Sequence, residues 1–491
     1  MRAMPEPLDL GDHAILDAAP VTTLRAYVDG GGGRGLDGAR RLGPASVVEE
    51  VLASGLRGRG GAGFPTGTKW QTIVQNASAA LAPTVVVNGA EGEPGSFKDR
   101  ALLRRNPYRV VEGALIAALA VGADRVVIAV KRSFTREVEG LERAVAEATA
   151  EGWADGVAVG VFAGPSEYLY GEETALLEVL DGRSPFPRVA PPYRHGVDEV
   201  GGDTTEPAGT ELAGPGGTVA PPTLVNNVET VANLPGILAN GADWYRAVGT
   251  AACPGTFLCT VSGAVRRAGV GELPFGTPVI DVIEAVGGGA GEGRRVVAVL
   301  PGVSGALLRE AALGTPATHE DLQAAGSALG AGAFVVLDDA TDPVALAAGV
   351  SRFLAVESCG QCMPCKGDGM AIAEILDRLA RSEGAELDLL ALDDHVQRIT
   401  DGARCFLAHQ HQAVLASVTS LFGPTLRRHA VGEVEGVEPV AVVPVVDLTD
   451  DGRLLGDMDH LDKNFDWSTG DTDSGAFPAE RTDDRQDQET R

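Results

Sequence analysis

The run Ser358-Cys359-Gly360-Gln361-Cys362-Met363-Pro364-Cys365 carries three cysteines with two residues between each pair. Three thiolates so spaced cannot all reach one ion comfortably, but they fit three corners of a cubane iron–sulfur cluster whose fourth ligand comes from far along the chain. Zinc sites more often use two separated pairs, so zinc and unligated thiols are the competing readings. Cys405 is the only downstream cysteine and therefore the candidate fourth ligand. Cys253 and Cys259 have no matching partners and read as plain buried thiols. A single cluster of this kind moves one electron, and a flavin is its natural counterpart, because it takes up a hydride and releases electrons singly.

A second stretch, Leu56 to Trp70, has glycines at 58, 60, 61, 63 and 67 among Arg57, Arg59 and Lys69. Glycines let backbone N–H groups turn toward a ligand, and the cations add charge, so the stretch has the chemistry of a phosphate cradle. A flexible surface loop would have the same composition. The dinucleotide fingerprint is a poor match, because it should follow a strand and open a helix, whereas Phe64-Pro65 is expected to extend the loop.

Three more segments are dense in polar groups. Asn88 to Arg100 contains Glu91, Glu93, Lys98 and Asp99; Gly164 to Thr174 contains Tyr168, Gly171, Glu172 and Glu173; Thr223 to Thr230 contains Asn226, Asn227 and Glu229. Glu172 and Glu173 could simply complement a helix dipole, and the asparagines could cap a helix. The same groups could equally hydrogen-bond a phosphate or a sugar.

The elements that position these residues follow from periodicity. Strands are expected at Thr84–Asn88, Arg125–Val130 and Val157–Phe162, with helices at Ala45–Ala53, Pro107–Val121 and Arg136–Ala150, and a further helix opened by Glu172 and ending near Leu180. Such alternation implies crossover units and a parallel sheet, with ligands beyond the carboxyl ends of the strands. Short strands at Thr256–Gly263, Gly269–Pro274, Val296–Leu300 and Ala333–Asp338, with a helix at Pro278–Val286, suggest a second, smaller α+β domain. Helices at Val344–Val356, Ala371–Leu379 and Asp388–Thr400 could return Cys405 to the other cysteines.

Length and charge set the limits. A chain of 491 residues implies several domains. The net charge of -28 argues against nucleic acid as a partner. No apolar run approaches the ~20 residues of a membrane span, and nothing at the N-terminus resembles a signal peptide, so a soluble cytoplasmic protein is expected. Residues 196–220 read as a solvated acidic insertion. From Asp447 onward 14 Asp/Glu stand against 5 Lys/Arg, which reads as a disordered acidic tail, with an edge strand conceivable at Ala441–Val446.

With these motifs in this order, the chain resembles the FMN-binding, NADH-oxidising subunit of respiratory NADH:quinone oxidoreductase and related diaphorase subunits over about residues 20 to 425. The resemblance implies an α/β architecture with a Rossmann-like FMN domain, a β-grasp (SLBB) domain and a C-terminal helical bundle carrying a 4Fe-4S cluster. The corresponding divisions are 1–50 as a loosely ordered lead-in, 51–250, 254–340, 341–425 and an acidic tail at 426–491. It places FMN against Gly58, Arg59, Gly60, Gly61, Ala62, Gly63, Lys69, Asn88, Glu91, Tyr168, Gly171, Glu172, Asn226, Asn227 and Thr230. It sets Phe64 against the adenine of NADH, and Glu93 and Glu173 against the ribose and nicotinamide, as the residues nearest the chemistry. It makes Cys359, Cys362, Cys365 and Cys405 the cluster ligands.

The expected function is hydride transfer from NADH to FMN, with single electrons leaving through the cluster to a small 2Fe-2S thioredoxin-like subunit or another iron–sulfur protein. The location would be cytoplasmic, or peripheral on a membrane complex without direct insertion. Four positions depart from the family pattern: Ala90 replaces an Asp, Thr72 an aromatic, Ala190 a Lys and Tyr193 a Phe. Loss of a stacking face at Thr72 and a cation at Ala190 would each weaken nucleotide binding by ~0.5 to 1.5 kcal/mol. The alternative is therefore an FMN/4Fe-4S electron-transfer subunit fed by another donor.

Overall fold

The computed structural model describes residues 10–77, 82–197 and 221–464. Apart from Gly196 and Val197, the acidic insertion lies outside them, as does the tail beyond residue 464.

Four strands, β1 (Thr84–Gly89), β2 (Arg125–Lys131), β3 (Ala158–Gly164) and β4 (Thr223–Asn227), form a sheet in the order β3-β2-β1-β4, every pairing parallel. Val85, Val86 and Val87 are fully buried, as a strand covered on both faces requires. The crossover helix Pro107–Val121 begins with Pro107 behind the Asn106 cap and stops at Gly122 in the left-handed conformation. The chain steps outward from β1 to β3, then returns to lay β4 on the other side of β1. The gap between the carboxyl ends of β1 and β4 is thus the topological switch point, where open α/β sheets bind ligands.

A second sheet, β5 (Thr256–Gly263), β6 (Gly269–Pro274), β7 (Val296–Leu300), β8 (Leu308–Arg309) and β9 (Ala333–Asp338), runs β6-β5-β9-β7-β8 in mixed orientation. Helix Val279–Gly287 supplies Val279, Val282 and Ile283 to the core shared with Phe257, Val261 and Phe334. Helices Pro343–Glu357, Met363–Ala380, Glu386–Arg398 and Leu407–Ala430 form a bundle whose core includes Phe353, Leu376, Leu415, Cys359 and Cys365. No helix among the described residues is long and apolar enough to cross a membrane.

Several expectations need correction. The lead-in is not loose: helices Leu24–Asp29 and Arg34–Leu42 pack on the first domain. Gly38 is there for close approach, since a Cβ would lie 2.3 Å from the Leu238 carbonyl oxygen. Phe64-Pro65 does not prolong the glycine loop, because helix Thr66–Gln75 starts directly after Pro65, whose fixed φ suits a helix entry. The bundle helix expected at Ala371–Leu379 begins at Met363 and so carries Cys365.

The segment from 431 to 464 is packed chain, not a free tail. The Val437 amide donates to the Ala380 carbonyl at 2.8 Å and the Val440 amide to the Ala345 carbonyl at 2.9 Å. Instead of an edge strand at 441–446, β10 (Val445–Leu448) and β11 (Leu454–Gly456) pair as an antiparallel hairpin. Backbone partners and local cations outweigh the repulsion that composition alone suggests: Arg100 donates to the Val445 carbonyl at 2.7 Å and Arg104 pairs with Asp447 at 2.6 Å.

Candidate functional site

The glycine loop is closed at its base by two backbone hydrogen bonds, Gly58 N–H to Phe64 O at 2.8 Å and Thr66 N–H to Leu56 O at 2.9 Å. Between them the amide of Arg59 donates to Thr230 Oγ1 at 2.9 Å. The amides of Gly60, Gly61, Ala62 and Gly63 have no protein acceptor among the described residues. Consecutive unengaged amides on a strained loop form an anion-binding concavity. Gly63 sits at φ +61° with the His319 ring beneath it, where a Cβ would approach within 2.5 Å. The loop is therefore pressed against the second sheet domain as well as against Asn227.

The loop's arginines do not supply the expected surface charge. The Arg59 guanidinium turns inward, donating to Tyr245 Oη and the Thr256 carbonyl at 2.9 Å each, 3.5 Å from Glu229 and over the Phe275 ring. Arg57 pairs with Glu320. Arg59 is thus taken up by buried partners and Arg57 by a half-exposed carboxylate, while Lys69 meets Glu173.

At the switch point Asn88 and Asn227 are register partners of β1 and β4. Asn88 Nδ2 donates to the Gly171 carbonyl at 2.9 Å, and Asn227 Nδ2 to Asp99 at 2.7 Å while its Oδ1 caps the helix Val228–Ala232. Asn226 accepts from the Trp70 indole at 2.9 Å. Glu172 caps the helix Glu173–Leu180 through the Thr174 and Ala175 amides, so the helix-end reading holds for it, and burial pushes its carboxyl above the usual range. Glu93 accepts from Tyr168 Oη at 2.7 Å and from the Val303 amide at 2.6 Å; burial raises its carboxyl too.

Beneath the cleft lies a buried ionic network that composition did not disclose. Lys98 bridges Asp99 and Glu229 at 2.7 Å each, and Arg100 meets Glu91 at 3.0 Å. Burial works against ionisation of Glu91, but Arg100 and Lys98 hold its carboxyl below the usual range. Burial lifts that of Asp99 despite Lys98. Glu91 thus braces the loop that presents Glu93. The adjacent Lys98-Asp99-Arg100 triplet was the only sequence signal of this network.

All four expected ligand cysteines line one cavity, with Leu169, Pro187 and Gln361 among the other residues of its wall. Burial pushes the thiols of Cys359, Cys365 and Cys405 upward, that of Cys365 to about 12, and neighbouring sulfurs add to the effect. Thiolates here need a cationic group in their midst. N–H donors already aim at two sulfurs: Gln361 Nε2 at Cys359 and the Arg404 amide at Cys362, both at 3.4 Å. Among the described residues no three His, Cys, Asp or Glu side chains converge on one ion. Four sulfurs around one cavity suit a polynuclear cluster with one thiolate at each corner. Leu169, which lines this cavity, lies in the turn Tyr168–Gly171, whose first residue meets Glu93 through its hydroxyl and whose last meets Asn88 through its carbonyl.

Residues 51–236 match the model of the Nuo51 FMN-binding domain, and residues 345–429 that of the NADH-ubiquinone oxidoreductase-F iron-sulfur binding region. The chain is 37% identical over 396 residues to an NADH-quinone oxidoreductase subunit of Rhizobium meliloti, covering 78% of this chain and 89% of that protein. It is 34% identical over 412 residues to the NADP-reducing hydrogenase subunit HndC of Solidesulfovibrio fructosivorans, covering 82% and 80%. Its fold is similar to a chain of the NAD+-reducing [NiFe]-hydrogenase in the H2-reduced state, with TM-score 0.71 and 32% identity over 84% of this chain and 67% of that one. The chain therefore belongs to the Nuo51 family of NADH-quinone oxidoreductase subunits, with an FMN-binding domain followed by an iron–sulfur region.

Proposed function

We propose that the protein is the electron-entry subunit of a multi-subunit oxidoreductase, oxidising NADH at FMN and passing single electrons through a 4Fe-4S cluster. The observation that carries this is the turn Tyr168–Gly171, which is bonded to Glu93 and Asn88 through Tyr168 and Gly171 and lines the four-cysteine cavity through Leu169. Bound FMN accepts a hydride and releases its electrons singly, and the cluster carries one at a time.

The chain's own residues supply binding and orientation. The amides of Gly60 to Gly63 are the natural phosphate donors, with Asn88, Asn226, Asn227, Thr230, Glu91, Gly171 and Glu172 shaping the flavin side of the cleft. Phe64 is 53% exposed and stands free to stack on an adenine. Glu93, Glu173 and Lys69 stand at the nicotinamide and ribose side, and Cys359, Cys362, Cys365 and Cys405 hold the cluster. Tyr168 fixes one oxygen of Glu93, which leaves that carboxylate oriented before any nucleotide arrives. Residues 254–340 fit an SLBB-like β-grasp domain, supported by the mixed five-stranded sheet around helix Val279–Gly287.

Relatives named as NADH-quinone oxidoreductase subunits favour NADH over another donor despite Thr72 and Ala190, although HndC is named for NADP. A small 2Fe-2S subunit is the partner we favour at the cluster. Met363, 71% exposed beside Cys362, and Phe406, 65% exposed beside Cys405, form an apolar rim for it. Anaerobic titration of the cofactor-loaded protein with NADH is expected to bleach the flavin band and then the cluster band. A loaded protein whose spectrum ignores both NADH and NADPH would contradict the proposal.

A further inference from the structure

The matched iron–sulfur region ends at residue 429, yet the chain beyond it is ordered and reaches back to the cofactor cleft. The segment runs along the bundle, places β10 against Arg100 and Arg104 of the first domain, and receives the Ala268 amide on the Gly452 carbonyl at 2.8 Å. It then delivers His460 and Lys463 to a single buried carboxylate. His460 Nε2 lies 2.7 Å and Lys463 Nζ 2.8 Å from Glu357 Oε1. Glu357 is 1% exposed and His460 6%, so these contacts lie in the protein interior.

The other oxygen of Glu357 accepts the Tyr168 amide at 3.0 Å. Tyr168 in turn donates its hydroxyl to Glu93 at 2.7 Å. A second path runs beside the first: the Phe353 ring stacks on His460 with centroids 5.1 Å apart and meets Tyr168 edge-on at 5.3 Å. Glu357 thus gathers three donors, His460 and Lys463 on one oxygen and the Tyr168 amide on the other. A buried carboxylate so bonded is a firm acceptor, and the amide it holds is correspondingly fixed.

We propose that residues 457–463 are a positioning element of the nucleotide site, with His460 and Lys463 acting through Glu357 on the Tyr168 amide and so on the Tyr168–Glu93 pair. The inference rests on the reading that Glu93 faces the nucleotide. Removing the strap's donors frees the Tyr168 turn, so the nucleotide must order Glu93 on binding. The loss belongs in KM, since neither His460 nor Lys463 is itself among the residues assigned to the flavin or the cluster.

The test uses the full-length, cofactor-loaded protein carrying His460→Ala with Lys463→Ala. NADH oxidation with a small artificial acceptor is expected to show KM raised about tenfold, equivalent to about 1.4 kcal/mol, with kcat within about twofold. Hydrogen–deuterium exchange is expected to speed up at residues 168–172 while β1 and β2 keep their protection, and iron, sulfide and FMN contents stay at wild-type levels. If the double variant does not accumulate, Lys463→Gln alone is expected to move both readouts in the same direction, and Lys463→Arg to restore them. Unchanged exchange at residues 168–172, or an unchanged KM, overturns the proposal. If the unaltered protein does not oxidise NADH, the functional reading fails instead, and the exchange arm still decides whether the strap orders Tyr168.

Discussion

At the scale of single residues, the bundle contains one polar side chain that neither cofactor explains. His411, on helix Leu407–Ala430, is fully buried, and neither ring nitrogen has a hydrogen-bond partner among the described residues. Burial holds its pKa down to about 3, against about 6.5 in an unfolded chain. Above about pH 6.5 the ring is neutral in both states, and its full contribution to stability is present. As pH falls from there toward 3, only the unfolded chain takes up the proton, so stability drops by up to about 1.4 kcal/mol per pH unit. His411→Leu removes this dependence. Denaturant unfolding between pH 6.5 and 4.5 is expected to show a shallower loss of stability in the variant. Equal slopes would mean that His411 does not stay neutral in the folded state.

At the scale of elements, the close contacts that hold the cleft in register come from small residues between helices. Gly38 of helix Arg34–Leu42 lies against Leu238 of helix Leu234–Asn240, and Gly35 of the same helix lies against Pro235. Gly38 is helical, so Ala there is neutral or favourable for the backbone, and the whole effect is steric. With a Cβ 2.3 Å from the Leu238 carbonyl oxygen, the two helices must separate. Gly38→Ala is expected to cost about 1 to 3 kcal/mol in thermal or chemical denaturation, with FMN still bound at saturating concentration. A variant as stable as the parent would show that the lead-in helices pack more loosely than the geometry implies.

At the scale of the whole molecule, three domains share one functional seam. The glycine loop of the first domain rests on His319 and the 330–331 backbone of the second, and Tyr168 of the first contacts Phe353 and Gln410 of the bundle. The four cysteines meet where helix Pro343–Glu357 ends and helices Met363–Ala380 and Leu407–Ala430 begin, so metal binding there would also be folding free energy. Removal of iron by anaerobic chelation is expected to split a broad calorimetric transition, with the bundle melting first and the parallel-sheet domain keeping its transition temperature. A single unshifted transition after chelation would show that hydrophobic packing alone carries the bundle. The charge of -28 also means that an anionic nucleotide needs a local site of its own.

Much of this was legible in the order of residues, because the signals were local. The valine run of β1 had to be a doubly covered strand, Pro107 and Gly122 bounded their helix, and the cysteine spacing favoured a cluster over a single ion. The glycine loop, the asparagine pair and the adjacent acids marked the ends of strands where a ligand would sit. The tertiary structure decided which of those groups remain free. Arg59 was consumed by Glu229, Tyr245 and Thr256, Glu172 by a helix end, and Glu91 by Arg100, all but the helix end through partners distant in the fold's chain order or buried beside it. The C-terminal segment is the clearest case. Its composition reads as a solvated acidic tail, yet residues 431–464 are held by backbone partners and by Arg100, Arg104 and Glu357, none of them near it in the chain. Periodicity and spacing encode local geometry, whereas the burial and pairing of a charge depend on what the fold brings against it.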